Sequence, residues 1–194
     1  MKNKSLLIIV GVVALIAGYF VVTYNSLAKA SQEVAAAWAN VETQYQRRSD
    51  LIPNLVNTVK GYAAHESQTL ESVVAARAEA TSINVDGSNM TPAQLAQYAE
   101  AQGKVTSALG RLIAVAEGYP ELKANQNFLE LQSQLEGTEN RIAVERKRYN
   151  DVVMSFNNKI VTFPRNVIAG MFGFTTKDFF AALQQAEQAP EVVF

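Results

Sequence analysis

The residues in this chain that could do chemistry are few and oddly placed. His65 is the only histidine and there is no cysteine. Thiolate catalysis, disulfides and multi-histidine or cysteine-ligated metal sites therefore drop out together. His65-Glu66 continues as Ser67-Gln68-Thr69, which is not the H-E-x-x-H pattern that sets two imidazoles around zinc on one helix face. No G-x-S-x-G, P-loop or dinucleotide-binding glycine pattern occurs, and no Glu-x-x-His pair is available for di-iron chemistry. The expectation is a chain with no catalytic residue, no metal ligand and no cofactor. What stands out instead is a set of charges in apolar company. Arg48, Glu66, Arg77 and Glu145 each fall where a helical stripe calls for an apolar side chain. Buried charges are tolerated when paired, and such pairs can fix helix register at some cost in stability. These positions predict an interhelical Arg/Glu cluster. The competing reading is a groove for a charged ligand or peptide, with Arg48, His65 and Arg77 as its polar patch.

The elements that would position these residues are helices. Val34, Trp38, Val41 and Tyr45 follow a 4-3-4 step, with Arg48 as the next member. A second stripe runs through Ile52, Leu55, Val59, Tyr62, Glu66, Leu70, Val73 and Arg77, with Pro53 in its first turn and Ser49 or Asp50 as N-cap. Gly61 inside that stripe suggests close helix approach. Thr81 to Met90 reads as a loop, closed by Thr91-Pro92-Ala93-Gln94, a capping box with proline at the first helical position. Leu95, Tyr98, Gln102, Val105, Leu109, Leu112 and Ala116 make the third stripe, ending at Glu117-Gly118-Tyr119-Pro120. The fourth runs from Phe128 to Ile160, and Phe163-Pro164 stops it. A seven-residue repeat over four helices predicts near-parallel packing with left-handed supercoiling, and the short connections predict antiparallel neighbours. The fold class is all-α: a transmembrane helix continuing into an elongated antiparallel bundle of four long helices, with a short aromatic-rich C-terminal segment.

Leu6 to Val22 reads LLIIVGVVALIAGYFVV, uncharged and apolar, with Lys2 and Lys4 ahead of it and Tyr19 and Tyr24 near its end. With its flanks it makes about 20 residues, roughly 30 Å as a helix, the thickness of a hydrocarbon core. The alternative is a cleaved signal peptide, for which Ala28-Lys29-Ala30 offers an A-x-A site; the long apolar run and the distance to Ala28 favour a retained anchor. The leading lysines orient the N-terminus to the cytoplasm and the remainder outward. The organisation expected is residues 1–24 as cytoplasmic N-terminus and anchor, 25–162 as exported bundle, and 163–194 as aromatic-rich segment and tail.

Two of the 17 basic residues precede the span, so the part beyond it carries 15 basic against 18 acidic groups. That balance gives no electrostatic case for nucleic acid or for an anionic lipid surface. Phe163, Phe172, Phe174, Phe179 and Phe180 crowd the C-terminal segment. Five such rings cannot all stay wet on a soluble monomer. The expectation is that they fold back over the end of the bundle, the alternative being contact with another subunit or the bilayer. Gln184 to Phe194 reads as a tail or arm.

Ala37-Trp38, then QRRSDLIPNLV from Gln46 to Val56, then VKGYAAHE from Val59 to Glu66 resemble the LemA family. EGYPELKA from Glu117 to Ala124, Tyr149-Asn150 and Phe163-Pro164 are further matches, and the resemblance runs from the anchor to Phe174. Departures are Ala64 before His65, Val144-Glu145 ahead of Arg146, and the C-terminal end. The resemblance implies one N-terminal transmembrane helix and an exported antiparallel helical bundle; it supplies no reaction. It is consistent with Arg47, Arg48, Asp50, Pro53 and Asn54 as cap and corner residues where the first helix turns into the second, with Gly61, Tyr62, His65 and Glu66 beyond.

The functional expectation is a single-pass, non-enzymatic scaffold of the bacterial inner membrane that forms a homo-oligomer. The alternative is an anchored binding or sensor module that recruits or regulates another envelope protein.

Overall fold

The apolar stripe that begins at Val34 does not stop at Arg48. Val34, Trp38, Val41, Tyr45, Arg48, Ile52, Leu55 and Val59 are all buried on one face of one helix. In the computed structural model, which describes residues 2–87 and 89–180, α1 spans Lys2–Lys60 without interruption. Its 59 residues make a rod about 90 Å long. The expected corner at Arg47–Asn54 is therefore wrong. Pro53 lies inside α1 rather than at a helix start, and the 4-3 phase carries straight through it. The turn comes later, at residues 61–66, before α2 (Ser67–Ser82).

The expected second helix, with its stripe from Ile52 to Arg77, is thus split between α1 and α2, and Tyr62 and Glu66 fall in the turn; the elements after it follow their signals closely. Thr91 caps α3 (Pro92–Ala116): its Oγ1 accepts from the Gln94 N–H at 3.2 Å, and the Gln94 side chain accepts from the Thr91 N–H at 2.9 Å. A single turn, α4 (Pro120–Lys123), leads to α5 (Gln126–Val161), whose N-terminus is capped by Asn125 Oδ1 accepting from Phe128 N–H at 3.0 Å. The Phe163–Pro164 segment separates α5 from α6 (Arg165–Met171). No strand occurs among the described residues.

α5 packs along α1, α2 bridges α1 and α3, and α6 touches both α1 and α5. Trp38 meets Tyr149, and ten residues farther along α1, Arg48 meets Glu139, ten residues earlier in α5. The two helices are antiparallel in fixed register. The first third of α1 stands apart: the large apolar side chains from Leu6 to Val22 are exposed, apart from half-buried Phe20. This stretch reaches a mean hydropathy of 2.8 and is long and apolar enough to cross a membrane.

The interior divides into two clusters. The one nearer the apolar stretch holds Trp38, Tyr45, Tyr98, Tyr149, Phe156 and Phe180. The distal one is built from Leu, Val, Ile and Ala, with Phe128 as its buried ring. Gly87, in the loop after α2, lies flat on the first cluster. A Cβ there would sit 2.5 Å from Trp38 Cδ1, so the close approach requires glycine.

Candidate functional site

Arg48 stands between the two clusters and is 1% exposed. Its guanidinium is held from two other helices. Nη1 donates to Glu139 Oε1 of α5 at 2.7 Å and to Thr106 Oγ1 of α3 at 2.8 Å. Nη2 donates to the Gln102 Oε1 at 2.6 Å and to its backbone carbonyl at 3.1 Å. The Tyr45 ring lies 5.1 Å below the same group. A planar cation with forked donors suits this task in a way lysine would not. The expected interhelical pairing exists, but its acid is Glu139, not Glu66 or Glu145.

Arg77 has a different task, and Pro53 sets it. Proline has no N–H, so the carbonyl four residues earlier in a helix loses its donor. That carbonyl belongs to Ser49, and Arg77 Nε reaches across from α2 to donate to it at 2.9 Å. Ser49 itself is buried, and its Oγ has no hydrogen-bond partner. Arg48, Ser49, Arg77, Tyr45, Tyr98 and Gln102 line a cleft of about 80 Å³, room for a few waters at most. Burial is the main cause that raises the phenols of Tyr45 and Tyr98; Arg146 and Arg48 partly oppose it at Tyr45.

The other motif residues lie elsewhere. Arg47 and Asp50 are exposed on α1, where Asp50 accepts from Gln46 Nε2 at 2.7 Å; Asn54 is exposed one turn on. Gly61 ends α1 in the open, with only carbonyls of its own helix within 4 Å, so no helix approaches it closely. Tyr62 Oη accepts from Asn125 Nδ2 at 2.9 Å, and Glu66 accepts from Tyr119 Oη at 3.1 Å. The VKGYAAHE and EGYPELKAN stretches thus clasp each other at the far end of the bundle, with Ala63 and Leu122 sealed beneath them. His65 is exposed at that corner and does not line the cleft, so Arg48, His65 and Arg77 do not form one patch.

A model of the LemA family matches residues 37–194. The chain belongs to the LemA family. Magnetosome protein MamQ 2 of Paramagnetospirillum magneticum is 28% identical over 189 residues, covering 89% of this chain and 69% of the relative. Protein LemA of Metamycoplasma hominis is 28% identical over 145 residues, 75% of this chain and 63% of its own length. MamQ of Magnetospirillum gryphiswaldense is 25% identical, covering 91% and 72%.

In this LemA-family membrane protein the C-terminal phenylalanines divide into two sets. Phe180 is core rather than surface: it stacks on Trp38 at 5.6 Å, meets Tyr149 at 5.4 Å and lies under the Arg146 guanidinium at 4.7 Å. Phe174 is half-buried beside Tyr24. Phe163, Phe172 and Phe179 remain exposed. The predicted tail from Gln184 to Phe194 lies outside the described residues.

The residues after α6 run back along α5 as a strap, held by two asparagines seven positions apart on one face. Asn157 Oδ1 and Nδ2 bond the Lys177 N–H and carbonyl at 2.8 Å each. Asn150 does the same for Phe180 at 2.9 and 3.1 Å. Burial beneath this strap pushes the Tyr149 phenol up to about 12, with the Asp178 carboxylate adding to the effect. The motifs single out Asn150 but miss Asn157, Glu139 and Thr106. The heptad spacing of Asn150 and Asn157 is the available signal. Glu145 is half-buried with one oxygen unbonded and Arg148 3.9 Å away, so it does not join the Arg48 node.

Proposed function

We propose that this LemA-family membrane protein is a non-enzymatic scaffold that carries a rigid, self-associating bundle at the bacterial inner membrane. One observation carries the reading: a single unbroken helix runs from the exposed apolar stretch to the far end of the bundle. A mechanical connection of that kind transmits position, which is what a scaffold requires. The polar side chains support it, because those of the Arg48 node are bonded among themselves, as are those of the distal clasps, and both serve the packing. Lys2 and Lys4 ahead of the span favour a cytoplasmic N-terminus with the bundle on the periplasmic or extracellular side. Alanine-rich helix faces outside the core stripes give copies room for close approach. Light scattering on the full chain in detergent is the direct test. A defined oligomer is expected, and a strictly monomeric protein at all concentrations would sink the proposal.

The second reading is an anchored binding or sensor module for another envelope protein, and the Arg48–Arg77 cleft favours it, with its unpartnered Ser49 hydroxyl. Under that reading, substituting Arg77 abolishes partner capture and leaves the melting temperature alone. Under the scaffold reading the same change lowers stability.

A further inference from the structure

The end of the bundle nearest the apolar span carries a patch that the scaffold reading does not use. Val161, Phe163, Val167, Met171 and Phe172 are each more than half exposed, Phe163 at 82%. Val167 and Met171 are one turn apart on the same side of α6, while Ile168 and Ala169 hold that helix to the core. Large apolar side chains left exposed together on a short helix and its flanks point to a contact site.

Its position says what it contacts. The Phe172 ring lies 4.8 Å from Tyr24, and Phe174 lies 5.9 Å from the same ring. Thr23 is buried, and Phe20 packs against the cluster that contains Ile168 and Ala169. Phe20 belongs to the apolar run itself. The run from Leu6 to Val22 reaches about 25 Å as a helix, short of a hydrocarbon core of about 30 Å. A placement that centres the run in the bilayer therefore brings α6, beside Phe20 and Tyr24, to the edge of the hydrocarbon core.

We infer that the α5–α6 corner is a second membrane foot: Phe163, Val167, Met171 and Phe172 enter the interface of the leaflet from which α1 emerges. The inference rests on the anchor reading above. Two points of attachment fix the tilt and rotation of the rod, which a single helix leaves free.

The chain has no cysteine, so single spin labels can be placed cleanly. Phe163→Cys and Met171→Cys report the foot. Ile16→Cys reports the span, and Val144→Cys, exposed on α5 about 25 Å from Val161, reports water. The full chain is reconstituted in phosphatidylethanolamine–phosphatidylglycerol vesicles, and collisions with oxygen and with a water-soluble nickel chelate are compared. Labels at positions 163 and 171 should favour oxygen several-fold over the label at 144, and lie shallower than the label at 16. If both are as open to chelate as position 144 while position 16 stays in lipid, the foot is overturned and the anchor stands. If position 16 is also open to chelate, both fall. If 163 and 171 are shielded from both reagents and dipolar broadening appears between copies, the patch is a protein interface and the lipid assignment is wrong.

Discussion

The two halves of the bundle solve the same packing problem with different materials. The distal half is aliphatic and closed by its own corners: Tyr62 with Asn125 and Glu66 with Tyr119 lock the two turns together. The half nearer the span is aromatic and closed by segments brought from elsewhere, namely the Gly87 loop, α6 and the strap that delivers Phe180 to Trp38. Between them lies a polar belt of Arg48, Thr106, Gln102 and Glu139. Aliphatic stripes alone tolerate a slip by one heptad, because leucine and valine fit many holes. A forked cation satisfied from two helices fits in one register only. The belt thus fixes how the halves align, and the aromatic half is then free to depend on attachments.

Removing the belt should give the largest effect. Arg48→Leu leaves Gln102 buried without its partner, while Glu139, whose side chain is 34% exposed, recovers water. The expected loss is about 3 kcal/mol in urea unfolding of the full chain. Glu139→Gln keeps an acceptor and should cost about 1 kcal/mol. Equal small losses from both would mean that the belt sets nothing.

Alkali should probe the aromatic half. Tyr149 is neutral when protonated, and its folded value is raised from 10.0 to about 12. The folded state therefore keeps this proton where the unfolded chain has released it. The associated stability is complete below pH 10 and is lost as pH rises towards 12, to the extent of about 2–3 kcal/mol. Tyr149→Phe should flatten that loss.

How much of this is legible in the residues depends on what kind of signal each feature carries. The first, third and fourth stripes, the Thr91 capping box and the stop at Phe163-Pro164 are local patterns, and each has its counterpart in α1, α3 or α5; the second stripe keeps its period on both sides of the turn at 61–66, so the break is hidden. The corner near Pro53 is misread because proline at a first helical turn and proline tolerated inside a long helix look alike in one dimension. The phase running from Arg48 to Ile52 and Leu55 is the better guide. Arg48 stands out as a buried charge, yet its partner Glu139 cannot be named from the residues, since many acids on the fourth helix lie within reach. The strap is invisible for a related reason: it depends on where backbone groups of residues 177–180 fall, not on their side chains.

Arg77 offers a finer probe of the same region. Arg77→Leu strips the donor from the Ser49 carbonyl that Pro53 has left without a helical partner. The cost expected is about 1–2 kcal/mol. Pro53→Ala returns an N–H to that carbonyl, so the two changes should be coupled: in a chain already carrying Pro53→Ala, Arg77→Leu should lose about 1 kcal/mol less. Additive behaviour in urea unfolding would show that Arg77 stabilises the fold by a route other than the Ser49 carbonyl, whereas no loss of stability from Arg77→Leu would move weight to the recognition reading.

The smallest effect on overall stability should come from the strap, and it is the one that best defines the aromatic half. Asn150→Ala removes both bonds to Phe180, but the strap is a peripheral attachment, so the global unfolding free energy should fall by about 1 kcal/mol or less. Trp38 is the only tryptophan and stacks on Phe180 with an interplanar angle of 14°. Its emission should therefore shift to the red even where the urea midpoint barely moves. Asn157→Ala acts one heptad away, at Lys177, and should loosen the strap nearer the span while leaving Phe180 partly seated. A graded response, larger for position 150 than for 157, is what two independent clips predict. An identical full shift from either change would mean that the strap comes off as one unit, and that the aromatic half is held by a single cooperative contact.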